Sequence, residues 1–180
     1  MTRKTKNRTH LAGVTRRVAT LATAVTSLAL GTWPALAEEG SFHLLASYAQ
    51  DYTTIDHTGG HATAGSLKGS FTVLASSGAP FVEGAHSPAS CVVFVRTSEA
   101  GFDLDSACTM TDGEGDSLYL DARRRSGDIE AGGGGEGRFE LLGGTGKYAG
   151  IGGVCPYETS YLPDQRIVTE MNCTWRRAAE

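Results

Sequence analysis

Past residue 37 this 180-residue chain has little positive charge, no long apolar run and no close pair of cysteines. Each shortage excludes a class of function. Six of the 16 Lys and Arg residues, and none of the 20 Asp and Glu residues, fall within residues 1–37, which leaves 10 bases against 20 acids and a formal charge of −10. A domain that acidic is repelled by nucleic acid and by anionic membrane surfaces. Neither is expected as a partner, and Arg123-Arg124-Arg125 reads as a solvated strand end. No later segment approaches the ~20 apolar residues of a spanning helix. The absence of Cys-x-x-Cys or Cys/His spacing removes the usual zinc and thiol-redox sites. No Gly-x-Ser-x-Gly elbow supports a triad hydrolase. No sustained 3.6-residue period with caps suggests helices. A lysozyme-like carboxylate pair stays open, because acids are plentiful and sequence does not give their separation in space.

What the chain does have begins with an export signal. Arg3, Lys4, Lys6, Arg8, Arg16 and Arg17 form a basic segment, Val18 to Leu30 a short apolar one, and Ala35-Leu36-Ala37 the small-x-small pattern of signal peptidase. Residues 1–37 are therefore expected to be a removed leader, and 38–180 a single domain with its own core. A retained anchor is the alternative, which the short run and its flanks disfavour. Arg16-Arg17 is followed by Val18-Ala19-Thr20, a poor match to twin-arginine export, so the general secretory route is favoured. The protein is expected to be secreted or periplasmic.

All four cysteines, Cys91, Cys108, Cys155 and Cys173, follow the leader, and an even count in an exported chain reads as disulfides. Hairpin geometry selects the pairing. Cys91–Thr97 and Phe102–Met110 read as strands around the turn Ser98-Glu99-Ala100-Gly101, which sets Cys91 opposite Cys108. Val154–Tyr161 and Arg166–Trp175 flank Pro163-Asp164-Gln165, which sets Cys155 opposite Cys173. Side chains alternate between sheet faces. Cys108 shares a face with Phe102, Leu104 and Met110, and Cys173 with Ile167, Met171 and Trp175, so the sulfurs point to the apolar side.

The remainder is strand and turn. Gly40–Tyr48, Gly65–Leu74, Leu118–Ala122 and Gly137–Leu142 read as strands, with turns at Asp112–Asp116 and Gly143–Gly146. Short strands spaced by turn signals suggest a sandwich or an antiparallel barrel. Glycines inside strands suit the bends of a small barrel. About eight strands are expected, and an eight-stranded barrel is either filled by side chains or holds one small ligand.

The segment Gly137-Arg138-Phe139-Glu140-Leu141-Leu142-Gly143-Gly144-Thr145-Gly146-Lys147-Tyr148-Ala149-Gly150-Ile151-Gly152-Gly153 resembles the strand–GGTGKYAGI–strand signature of the allene oxide cyclase and dirigent-like barrels. Small exported bacterial proteins of unassigned activity carry similar segments. A looser likeness runs from Ser66 to Trp175. The resemblance implies an eight-stranded antiparallel barrel with an apolar cavity, and an activity of the isomerase or cyclase kind on a flexible apolar substrate. It carries over no catalytic residue, and the four cysteines and the bacterial-style signal set this chain apart from the plant enzymes.

The remaining motifs are weaker. Gly146-Lys147 lacks the Ser/Thr and first glycine of a phosphate loop, so its glycines read as a hairpin turn. Gly132 to Gly135 reads as a flexible connection. Asp112, Glu114 and Asp116 alternate as calcium ligands do, but Ser117 and Arg123 occupy the positions of the turn glycine and bidentate acid, so a calcium turn is only a weak candidate. His57 and His61, with Asp56 or Asp51, are a weaker metal candidate still. No cofactor is expected. Two functions remain. One is a non-catalytic exported barrel that binds a small apolar ligand or serves as an extracytoplasmic structural module. The other is a cyclase or isomerase, for which Glu140, Tyr157 and Tyr161 are the candidates to face the cavity, on strand position alone. A buried carboxylate or tyrosine cluster would favour the enzyme; a packed apolar interior would favour the module.

Overall fold

Alternation of apolar and polar residues builds every wall of the molecule. The computed structural model describes residues 38–177. The leader expected over residues 1–37 lies outside the described residues. Among the described residues there are eight strands: β1 (Glu38–His57), β2 (Gly60–Ser76), β3 (His86–Ser98), β4 (Gly101–Thr111), β5 (Ser117–Arg124), β6 (Gly134–Gly144), β7 (Ile151–Leu162) and β8 (Arg166–Arg177). A single 3-10 turn, Gly146–Tyr148, links β6 to β7. Each strand pairs antiparallel with its neighbour in sequence, and β1 pairs with β8, from Glu38 against Arg177 to Ala49 against Arg166. The sheet is thus a closed barrel, and closure leaves no unpaired edge. In β3, Ser87, Ala89, Cys91, Val93 and Val95 point in, while Pro88, Ser90, Val92, Phe94 and Arg96 point out. In β8 the inward set is Ile167, Thr169, Met171, Cys173 and Trp175.

Both expected disulfides are present. Cys91 sits directly across from Cys108 in the β3–β4 register, and Cys155 is bonded to Cys173 between β7 and β8, with Cα–Cα distances of 4.1 and 4.0 Å. All four half-cystines are buried in the barrel. The bridges pin opposite walls, with β1–β2 between them on one side and β5–β6 on the other.

Two readings of the glycines and arginines change. Gly134 and Gly135 are not part of a flexible connection but begin β6, paired with Ser160 and Thr159. A side chain at Gly135 would come within 2.9 Å of Arg124 Nη1, so the missing side chain makes room for an arginine. The Arg123-Arg124-Arg125 run is solvated only at its flanks. Arg123 and Arg125 lie outside against Asp103 and Asp105, at 2.5 Å for Arg125–Asp103. Arg124 continues the inward set of Leu118, Leu120 and Ala122 and is 1% exposed.

The two ends of the barrel are closed differently. At the end holding the β2–β3 loop, Phe81 turns inward, stacks on Phe42 at 3.8 Å between ring centroids and meets Tyr148 and Trp175 at 5.7 and 5.9 Å. At the other end, the strap between β5 and β6 crosses the mouth. Gly132 donates to the Tyr161 carbonyl at 2.7 Å, Tyr161 donates back to Gly133 at 2.9 Å, and Ile129 packs on the core. Among the described residues, the apolar cavity implied by the family resemblance is not present at ligand size. Among the described residues the interior space is ≈ 30 Å³, enough for about two waters.

Candidate functional site: a buried arginine among tyrosines

The residual space is lined by Arg124, tyrosines and the Thr159–Thr169 pair together with apolar side chains such as Leu67, Val93 and Ile167. Strand parity delivers Tyr48 and Tyr52 from β1, Arg124 from β5, and Tyr157 and Tyr161 from β7 to one region. Two glycines on β6 accommodate them. Gly135 leaves room for the guanidinium, and Gly137 for Tyr157, whose ring lies where a Gly137 side chain would be.

Arg124 is held by backbone and rings instead of by an acid. Its Nη1 donates to the Gly134 carbonyl at 2.6 Å and to Ser126 at 3.4 Å; its Nη2 donates to the Asp128 carbonyl at 2.8 Å and to the Tyr161 hydroxyl at 3.4 Å. The guanidinium lies over Phe102 at 4.6 Å and near the Tyr161 ring at 5.5 Å. Such cation–π contacts strengthen when water is excluded. Among the described residues no carboxylate lies within 4.0 Å of it. Its Nε–H is buried without a partner, as are the Tyr48 and Tyr52 hydroxyls.

The tyrosines are neutral phenols. Burial pushes Tyr157 up to about 12, against the opposing charge of Arg124. Burial likewise raises Tyr48, Tyr52 and Tyr161 above the ordinary phenol range. Apart from the tyrosines, the buried polar or charged side chains among the described residues are Thr63, Ser87, Arg124, Thr159 and Thr169. Thr159 and Thr169 satisfy each other at 2.8 Å. The site therefore offers hydrogen-bond donors and one fixed positive charge. No buried carboxylate or imidazole stands in it to take a proton as a general base near neutral pH.

Of the sequence candidates, Tyr157 and Tyr161 line this space. Glu140 does not. It lies between the inward Phe139 and Leu141, so parity turns it outward, where Arg138 binds it at 2.8 Å. The sequence reading missed Arg124, Tyr48 and Tyr52. The parity of Leu118-x-Leu120-x-Ala122-x-Arg124 was the available signal for the arginine.

Asp112, Glu114 and Asp116 do converge, with one oxygen from each within 4.8 Å of the others. A side-chain cation already stands among them. Lys147 Nζ lies 2.7 Å from Asp112 and 2.9 Å from Glu114, while the Lys147 amide donates to Asp116 at 3.0 Å. Asp112 also accepts the amides of Glu114 and Asp116 at 2.8 and 3.0 Å. Desolvation opposes ionisation of Asp112, but the Lys147 ammonium and the two amides hold it below the ordinary carboxylate range. The cluster ties the β4–β5 turn to the β6–β7 turn. The histidines are dispersed: His61 pairs with Asp56 at 3.1 Å near the β1–β2 tip, and His43 with Glu170 at 2.8 Å on the outer face.

The sequence matches no family model and no curated protein. Among solved structures, the chain is similar to a pterocarpan synthase dirigent protein, at 16% identity and a TM-score of 0.46, over 88% of this chain and 99% of that one.

Proposed function

We propose that the protein is exported and works outside the cytoplasm as a non-catalytic structural module, a barrel pinned shut by two disulfides. The filled interior carries this reading. Small-molecule sites enclose roughly 300–1,000 Å³, against the ≈ 30 Å³ left here. Among the described residues thirty buried apolar side chains, including the Phe42–Phe81 stack, occupy the rest. A flexible apolar substrate has no room unless the wall or an end opens. The leader-like residues 1–37 and the paired cysteines agree with an oxidising compartment.

The cyclase or isomerase alternative rests on the Arg124–tyrosine cluster, whose fixed donors resemble a preorganised site for developing negative charge. It requires the β5–β6 strap to open and admit substrate. Native mass spectrometry of the mature protein from its own host, with lipid extracts added back, separates the two readings. The module reading expects a clean apo mass that no extract shifts. A retained apolar molecule of substrate size would overturn it and return attention to the cluster.

A further inference from the structure

The interior around Arg124 is unbalanced in charge and in hydrogen bonding. Arg124 carries a guanidinium and is 1% exposed. Buried charges are ordinarily paired with an opposite charge, yet this one has no carboxylate partner among the described residues. The strap carbonyls and Tyr161 satisfy the two Nη atoms. The Nε–H remains over, and so do the hydroxyls of Tyr52 and of Tyr48, the latter 2% exposed. All three residues line the same ≈ 30 Å³ space. A water there could accept from these donors, but it would leave the guanidinium charge uncompensated. An anion accepts from all of them and neutralises the guanidinium.

We propose that the space beside Arg124 is a binding site for a small monovalent anion of halide or formate size, held by Arg124 Nε–H and the Tyr48 hydroxyl. Volume sets the size limit, because room for about two waters excludes sulfate and phosphate. The strap's contacts with Arg124 keep the cation in place at the mouth, so the anion completes the barrel end. This goes beyond the module reading without depending on it. A halide- or formate-sized mass retained on the native protein is the anion of this proposal and leaves the module reading intact, whereas a retained apolar molecule of substrate size counts against the module reading alone.

The test uses the mature, disulfide-intact protein dialysed into sodium sulfate. Titration with sodium bromide and, separately, sodium formate at constant ionic strength is expected to raise the unfolding temperature along a saturating curve at millimolar concentrations. Comparing the two midpoints separates a halide site from a carboxylate site. Crystals soaked in bromide are expected to show an anomalous peak next to Arg124 Nε. Tyr48→Phe keeps the ring and the packing, and it is expected to raise the midpoint concentration about ten-fold, the loss of one hydrogen bond to a charged group. Arg124→Met is expected to abolish the saturating response; should it fail to fold, Tyr48→Phe and the bromide peak still decide. A response linear in salt and equal for sulfate would overturn the proposal. So would water alone at Arg124 in bromide-soaked crystals, or an unchanged midpoint in Tyr48→Phe.

Discussion

Adding one methyl group at Gly137 tests whether the barrel is filled. Gly137 lies on β6 opposite Tyr157 on β7. A Cβ built there overlaps the Tyr157 ring at Cζ and the hydroxyl. The ring cannot easily yield, because Phe139 packs against it at 5.0 Å and Tyr157 borders the Arg124 cluster. Overpacking of this kind costs about 1–3 kcal/mol. Replacing a strand glycine by alanine gains roughly 0.5–1 kcal/mol through the unfolded chain. The packing penalty is the larger, so Gly137→Ala is expected to destabilise by about 1–2 kcal/mol. With a urea m-value near 1.5 kcal/mol/M, the unfolding midpoint falls by roughly 1 M. Gly152→Ala is the control: its nearest neighbour is the Leu141 carbonyl at 4.0 Å, and it is expected to be neutral or slightly stabilising. Placing Gly137→Ala on a Tyr157→Val background removes the overlapping ring, so the two changes should couple by about 1–3 kcal/mol. The assay is urea unfolding with the disulfides intact. If Gly137→Ala is as stable as the parent with Tyr157 in place, the ring has room to move, the interior is not filled, and the module reading loses its basis.

Replacing Cys91 and Cys108 together by alanine opens a loop with a sequence separation of 17 and is expected to cost about 3 kcal/mol in urea unfolding; an unchanged midpoint would show that the hairpin is held without the bridge. Gln165 has φ 59° in the β7–β8 turn, a conformation that costs a side-chain-bearing residue about 1 kcal/mol, so Gln165→Gly is expected to raise the thermal midpoint by a few degrees. In the folded state burial holds Tyr157 up to about 12 and raises Tyr48, Tyr52 and Tyr161, whereas the unfolded chain ionises its phenols near 10. Above about pH 10 the unfolded state therefore binds fewer protons than the folded one, and stability falls as pH rises. Absorbance at 295 nm during an alkaline titration should show these four phenols ionising only with unfolding, and early, reversible ionisation of all six tyrosines would refute their burial.

The local pattern of the chain was enough for the architecture. Alternation in Cys91–Thr97 and Phe102–Met110, with a short turn between, set the cysteines face to face, and a hairpin registers residues by counting outward from its turn. The same counting fixed Cys155 against Cys173, and the turn glycines from Gly143 to Gly146 marked the end of β6. Parity also separates Glu140 from Tyr157 and Tyr161 once the inward face of each strand is known. Closure of the barrel decided the rest, since contacts across the interior join side chains that no local spacing relates. Phe81 leaves its loop to plug one end on Phe42 and Trp175, and Tyr157 occupies the space left by Gly137. That is how an interior of either kind became a filled one. Lys147, far along the chain from Asp112, arrives between the acids because the β4–β5 and β6–β7 turns share one end of the barrel. Arg124 stands in a run of three arginines that composition marks as solvated. Only the neighbouring strand, with glycines where side chains would otherwise block the interior, gives its guanidinium a place inside.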